Sequence, residues 1–192
     1  MKKNMIILVV VALAVIYGIS TYNGLVKMEE GINTAWSNVE NQYQRRLDLI
    51  PNLVNTVKGY AAHEQETFNQ VIEARSKATQ TTIDPTNLTP EAMQEYQKVQ
   101  NQVSGTLGRL LAVAEAYPDL KANQNFLELQ SQLEGTENRI SVERTRFNDA
   151  AQTFNTSIRK FPATIVASIM GFEKRPYFTA EEGAAKAPTV EF

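Results

Sequence analysis

Residues 125–162 read NFLELQSQLEGTENRISVERTRFNDAAQTFNTSIRKFP, and a large apolar side chain recurs in this stretch at every seventh residue. A strict seven-residue apolar repeat is typical of a long helix with coiled-coil-like packing, and a strand would need a period of two. The stretch therefore predicts a helix over residues 123–161. The repeating positions are Phe126, Leu133, Ile140, Phe147, Phe154 and Phe161.

Amphipathic patterns upstream predict three further long helices, over residues 25–47, 49–78 and 89–117. A short apolar segment after the repeat predicts a last helix over residues 163–171. We therefore expect an all-α fold in which an N-terminal transmembrane helix continues into an antiparallel bundle of four long helices with coiled-coil-like packing. The expected bundle covers residues 27–172.

Two prolines mark the predicted helix junctions. Pro51 has no N–H and its ring would crowd the carbonyl of Leu47, so we expect Asp48 to cap a new helix with Pro51 in its first turn. The apolar rows keep their phase across Pro51, and one long kinked helix is therefore an open alternative. Pro118 disfavours helix at Tyr117 and predicts the second junction there.

Polar residues interrupt the companion apolar row of the fourth predicted helix. Glu137 and Arg144 occupy positions that would face the core, about 10.5 Å apart along the helix, which is too far for them to satisfy each other. We expect their partners on another helix, where Arg45, Arg46 and Asp48 are available. These five residues form a candidate interhelical polar layer. The alternative is that the row has drifted and both residues face solvent.

The N-terminal apolar run predicts a membrane anchor over residues 5–26. A continuous helix of this length spans about 33 Å, which is enough for a hydrocarbon core of about 30 Å. Lys2 and Lys3 precede the run, so the positive-inside rule places residues 1–4 in the cytoplasm. The bundle would then lie on the exported side of a single-pass cell-membrane protein, either periplasmic or extracellular.

A cleaved signal peptide is the alternative to the anchor. The uninterrupted apolar stretch, residues 5–19, ends around Gly18 and Ser20, two small residues at the positions that a peptidase inspects. Cleavage there would release a secreted soluble bundle. The apolar helical spacing continues through Leu25 and Ile32 without a break. This continuity favours the anchor.

Composition and charge exclude several classes of function. The 192 residues carry 19 Lys+Arg against 21 Asp+Glu, so there is no positive excess to hold nucleic acid. The chain has no cysteine and one histidine, His63, and Thr67 stands where a zinc-protease motif needs its second histidine. We therefore predict no catalytic residues, no metal site, no cofactor and no enzymatic activity. The Pro-, Gly-, Ala- and charge-rich residues 173–192 are predicted to form a disordered tail.

Short motifs along almost the whole chain resemble the LemA family. The motifs are YNGLV at 22–26, AW at 35–36, RRLDLIPNLV at 45–54, AEAYPDLKAN at 114–123, EGTENRI at 134–140 and GF at 171–172. The resemblance implies a bacterial cell-envelope protein with one transmembrane helix and a bundle of four long helices. It supplies no catalytic residue to transfer to this chain.

The expected function is that of a non-enzymatic envelope scaffold or interaction protein. It would act as a homo-oligomer or by docking a protein partner through its bundle, because two adjoining apolar rows offer more surface than a four-helix core needs. The alternative is a ligand-sensing or ligand-binding module. Its pocket would be lined by Trp36, Tyr43, Tyr60, Tyr96 and Tyr117, although aromatic residues at helical spacing are more often part of a core.

Overall fold

The structure, a computed structural model, describes residues 2–179, and the predicted all-α fold is confirmed. Two short 3-10 turns, Pro85–Asn87 and Ala114–Ala116, join longer helices, and the Phe161–Pro162 peptide bond is cis. The helices are α1 (Lys2–Lys58), α2 (Gln65–Gln80), α3 (Pro90–Val113), α4 (Pro118–Lys121), α5 (Gln124–Ser157) and α6 (Ala163–Met170).

Helix α1 is unbroken over 57 residues, or about 85 Å, and this corrects the junction predicted at Asp48 and Pro51. Pro51 lies inside the helix, and Asp48 accepts a hydrogen bond from Gln44 at 2.8 Å instead of capping a new helix. Pro51 has no N–H to donate to the carbonyl of Leu47, four residues earlier. That carbonyl instead accepts a hydrogen bond of 2.9 Å from Arg75 Nε of α2. A bond from a neighbouring helix thus replaces the one that proline removes.

The four long helices alternate in direction along the chain. Helices α1 and α5 form the main antiparallel pair, and α2 and α3 pack against each other. Helix α5 ends at Ser157, earlier than predicted, so Phe161 leaves the heptad row and is 81% exposed. The other five members of that row are buried.

The buried apolar residues form two clusters along the length of the bundle. The distal cluster surrounds the last part of α1, from Leu47 onward, and includes all four buried residues of α2. The proximal cluster lies nearer the N-terminal apolar run and contains residues of α1, α3, α5 and α6 but none of α2. Because α2 has only 16 residues against 34 in α5, the fourth side of the proximal half must be covered by something else.

An extended segment supplies this cover. Residues 173–179, which we call the strap, follow Gly171, whose φ of +74° ends α6 in the left-handed conformation that glycine adopts without strain. Phe178 of the strap is buried in the proximal cluster. The predicted disordered tail over residues 173–192 is therefore wrong for the strap, and residues 180–192 lie outside the described part of the chain.

The bond between Arg75 and Leu47 yields a test of how α1 passes Pro51. We expect Arg75→Met to lower the free energy of unfolding by about 1–2 kcal/mol, because a buried carbonyl loses its donor. In a Pro51→Ala background the new N–H of residue 51 bonds that carbonyl, so the same change should cost about 1 kcal/mol less. Urea unfolding, followed by the fluorescence of the single tryptophan, measures both costs.

Lys77→Met, at an exposed position of the same helix, is the matched control and should change stability little. An equal cost of Arg75→Met in both backgrounds would contradict this account of Pro51.

Candidate functional site

The most strongly polar part of the interior is built around Arg46, whose side chain is 1% exposed. Its Nη1 donates to Glu137 Oε1 and to Ser104 Oγ, both at 2.7 Å. Its Nη2 donates to Gln100 Oε1 at 2.6 Å and to the Gln100 carbonyl at 3.1 Å. We call these four residues the arginine layer. Two helices besides α1 supply the acceptors.

The arginine layer replaces one apolar level of the heptad packing. Arg46 stands seven residues after Val39 and seven before Leu53, and both of these are fully buried. Gln100 and Glu137 occupy the same level on α3 and α5. Residues on one side of this level belong to the proximal cluster and those on the other side to the distal cluster. The layer therefore divides the core in two.

The structure brings two of the five predicted layer residues together, Arg46 and Glu137, which form an ion pair of 2.7 Å. Arg45 and Asp48 are exposed and do not join the layer. Gln100 and Ser104 of α3 complete the layer and were missed by the sequence interpretation. The spacing of Gln100 from Met93, one heptad earlier, is the signal that could have found it.

Arg144, the fifth predicted residue, contacts the strap instead of the layer. Its Nη2 donates to the Thr179 carbonyl at 3.0 Å, and its guanidinium lies 5.0 Å from the centre of the Phe178 ring. A cation over an aromatic face is attracted by the ring quadrupole. Arg144 therefore helps to hold the strap.

Two asparagines of α5 bind the strap backbone. Asn155 donates to the Arg175 carbonyl and accepts from the Arg175 N–H, both at 2.8 Å. Asn148 makes the same reciprocal pair with Phe178, at 3.0 and 2.8 Å. Seven helical residues rise about 10.5 Å, and three extended residues span about 10 Å, so the two spacings match. Each side-chain amide thus makes the pair of hydrogen bonds that a neighbouring β-strand would make with the strap backbone.

An ion pair and an aromatic stack fix the ends of the strap. Arg175 Nη2 donates to Glu29 Oε1 of α1 at 2.5 Å, and Nη1 donates to the Thr86 carbonyl at 3.2 Å. The Phe178 ring stacks on Trp36 with 9° between the planes and 5.8 Å between the centroids. The strap thus connects α5 to α1 and to the loop that precedes α3.

The aromatic residues do not line one pocket. Trp36 and Tyr43 both make edge-on contacts with Tyr96 in the proximal core, at centroid distances of 5.1 and 5.5 Å. Burial raises the pKa of Tyr96 well above its ordinary value, and the nearby Tyr43 adds to that shift. Tyr60 and Tyr117 lie at the distal end, where Asn123 donates to the Tyr60 hydroxyl at 2.9 Å.

The second predicted junction lies where α3 gives way to α4. Helix α3 ends at Val113, and Tyr117 stands between a 3-10 turn and Pro118, the first residue of α4. The Tyr117 hydroxyl donates to Glu64 at 3.5 Å, which joins this junction to the turn between α1 and α2.

Among residues 2–179, no group of three or more His, Asp and Glu side chains could hold a metal ion. His63 is exposed. The polar groups that converge in the interior are those of the arginine layer and the strap, and most of them are hydrogen-bonded, whereas Arg46 Nε and Arg175 Nε are buried without an acceptor in the described part of the chain. The arrangement is therefore suited to fixing helices and a peptide segment in place.

Comparison with known proteins places the chain in a family. The LemA family model matches residues 35–192. The chain belongs to the LemA family. Both the arginine layer and the strap lie inside the matched range, and the N-terminal half of α1, which carries the apolar run, precedes it.

Curated relatives of this LemA-family chain cover most of its length. Magnetosome proteins MamQ 1 and MamQ 2 of Paramagnetospirillum magneticum are each 29% identical over an alignment of 205 positions, which covers 96% of this chain and 75% of the relative. MamQ of Magnetospirillum gryphiswaldense is 28% identical over 88% of this chain and 68% of its own. Protein LemA of Metamycoplasma hominis is 26% identical over 83% of this chain and 69% of the relative.

Family membership and the N-terminal apolar helix together indicate a membrane-associated helical protein. Within residues 2–179, α1 is the one helix long and apolar enough to cross a membrane. The names of the family and of the relatives are not names of enzymes.

The arginine layer predicts an asymmetry between its two charged members. We expect Glu137→Met to lower the free energy of unfolding by about 3–5 kcal/mol, because it leaves a buried guanidinium without its counter-ion. Arg46→Met should cost less, about 1–3 kcal/mol, since Glu137 is 44% exposed and can regain water. Urea unfolding of the detergent-solubilised chain measures both.

Arg45→Met, one residue away and exposed, is the matched control, with an expected change within about 0.5 kcal/mol. A larger cost for Arg46→Met than for Glu137→Met, or a cost for Arg45→Met equal to either, would contradict the assignment of the layer.

The two asparagine clamps should act separately on the strap. We expect Asn155→Ala to accelerate amide hydrogen exchange at Arg175 by about 10- to 100-fold, the equivalent of losing about 1–3 kcal/mol of local protection. Asn148→Ala should have its main effect at Phe178. Asn138→Ala, at an exposed position of α5, serves as the control. Equal exchange at Arg175 in the Asn155 and Asn138 variants would refute the clamp.

Proposed function

We propose that this LemA-family chain is a non-enzymatic scaffold of the bacterial cell envelope, anchored by α1 and acting through self-association of its bundle. The observation that carries the proposal is the continuity of α1, in which one helix contains the apolar run and then contributes to both core clusters. A helix of this kind fixes the height of the bundle above a membrane.

Several observations support an anchor that stays attached. None of the most apolar 18-residue window of α1 is buried by the rest of the protein, unlike a core helix, so this surface needs cover from lipid. The helix passes Gly18 and Ser20 without a break, whereas a cleavage region is usually not helical. Lys2 and Lys3 favour a cytoplasmic N-terminus and an exported bundle.

The buried polar groups support action by contact and not by chemistry. A catalytic group needs access to a substrate, and Arg46 and Gln100 are almost completely enclosed and bonded to each other. Buried ionic groups of this kind serve in other proteins to select one packing register. Tethering to a membrane plane also raises the effective concentration of the bundle, which favours association between copies.

A cavity favours ligand binding as a second candidate function. It has a volume of about 360 Å³ and lies between the start of α3 and the strap, where Met93, Gln97, Lys174 and Tyr177 are among its lining residues. It offers apolar walls and one ammonium group. A small organic anion would suit this lining.

Light scattering on the full chain tests the scaffold function. We expect a protein mass of at least twice the 21.5 kDa chain mass, both in detergent and in lipid nanodiscs. The fraction of chains in such oligomers should rise with protein concentration. A strict monomer in both media would overturn self-association. A monomer whose melting temperature rises with a panel of small organic anions would favour the second candidate instead.

A further inference from the structure

Four large apolar side chains are exposed together around α6. Phe161, Ile165, Ile169 and Met170 are 81%, 51%, 75% and 56% exposed, and we call them the α6 patch. The large apolar residues exposed elsewhere on the bundle are Tyr60, Ile72, Leu127 and Val142. The last two share α5 but lie about 22 Å apart along it, so each is an isolated residue. A contiguous apolar surface of this kind marks an interaction site, whereas single exposed residues do not.

The α6 patch lies beside the end of the N-terminal apolar run. Ala167, in the middle of α6, is buried in the same cluster as Leu25 of α1. The Phe172 ring, just after α6, lies 5.8 Å from the Tyr22 ring of α1. From Met5 to Leu25 the helix rises about 30 Å, which equals the thickness of a bilayer hydrocarbon core. Helix α6 is therefore at the level where α1 would leave the lipid.

Basic residues flank the patch. Arg159 and Lys160 precede it and Lys174 follows it, and all three are exposed, with Glu173 as the one acidic residue in this part of the chain. Lysine and arginine at the edge of an apolar surface are attracted to anionic phospholipid headgroups. The apolar and charged parts of this surface both match a lipid interface.

We propose that the α6 patch inserts into the outer-leaflet headgroup region of the bilayer that α1 spans. This inference rests on the proposed anchor and adds a second contact to it. A single spanning helix leaves the bundle free to rotate about the α1 axis. Contact through α6 fixes that rotation, so the strap and the arginine layer take one orientation relative to the membrane plane.

Spin labels can measure the depth of the patch because the chain contains no cysteine. Single-cysteine variants Ile169→Cys and Phe161→Cys of the full chain are labelled and placed in vesicles of phosphatidylcholine and phosphatidylglycerol. Oxygen concentrates in lipid and a nickel chelate stays in water, so the ratio of their collision rates with a label reports its depth. Ile72→Cys, another exposed apolar position, lies on α2 and is the matched control.

We expect the oxygen-to-nickel ratio at positions 161 and 169 to exceed the ratio at position 72 several-fold. Equal ratios at 169 and 72 would overturn the α6 contact. Spin–spin broadening at 169 that disappears on dilution with unlabelled chain would place a second copy on the patch and would also overturn it. A label at Val9→Cys separates the two proposals: water exposure there refutes the anchor itself, whereas lipid exposure at 9 with water exposure at 169 refutes α6 insertion alone.

Discussion

The buried guanidinium of Arg46 is the constraint around which the bundle is arranged. An arginine side chain stays charged in a protein, so its enclosure requires acceptors placed to fit its planar fork. Those acceptors come from α3 and α5. A shift of α3 by one heptad would put Met93 or Leu107 opposite the charge, and a shift of α5 would replace Glu137 with Gln130 or Arg144. The apolar rows form the core, and the arginine layer links α1 to α3 and α5 at one level of the bundle.

The unequal lengths of the helices explain the strap. Helix α2 covers only the distal half of the bundle, so Trp36 and Phe147 of the proximal half would otherwise border solvent on one side. Phe178 covers both rings, at centroid distances of 5.8 and 5.3 Å. An extended segment cannot satisfy its own backbone groups, and Asn148 and Asn155 provide them with partners. The seven-residue strap thus covers the side of the proximal core that α2 does not reach.

The sequence predicts what depends on local periodicity and misses what depends on tertiary hydrogen bonds. The heptad row of α5 is visible because each member repeats the same local environment. Arg45 and Arg46 differ by about 100° around α1. Only the heptad row distinguishes them, because Arg46 lies seven residues after Val39 and Arg45 does not. Pro51 predicts a break by its own chemistry, but Arg75 offsets the lost bond. The strap has no period at all, since its bonds go to side chains of another element.

These features give α1 three successive environments along one rigid axis. Its first part is bare of protein contacts, its middle part packs with α5, α6 and the strap, and its last part packs with α2. Arg46 lies 21 residues beyond Leu25, or about 30 Å above the end of the apolar run. Because the helix has no break between these points, any tilt of the apolar run must move the arginine layer as well. Any contact that restrains the bundle would therefore also restrain the tilt of the apolar run.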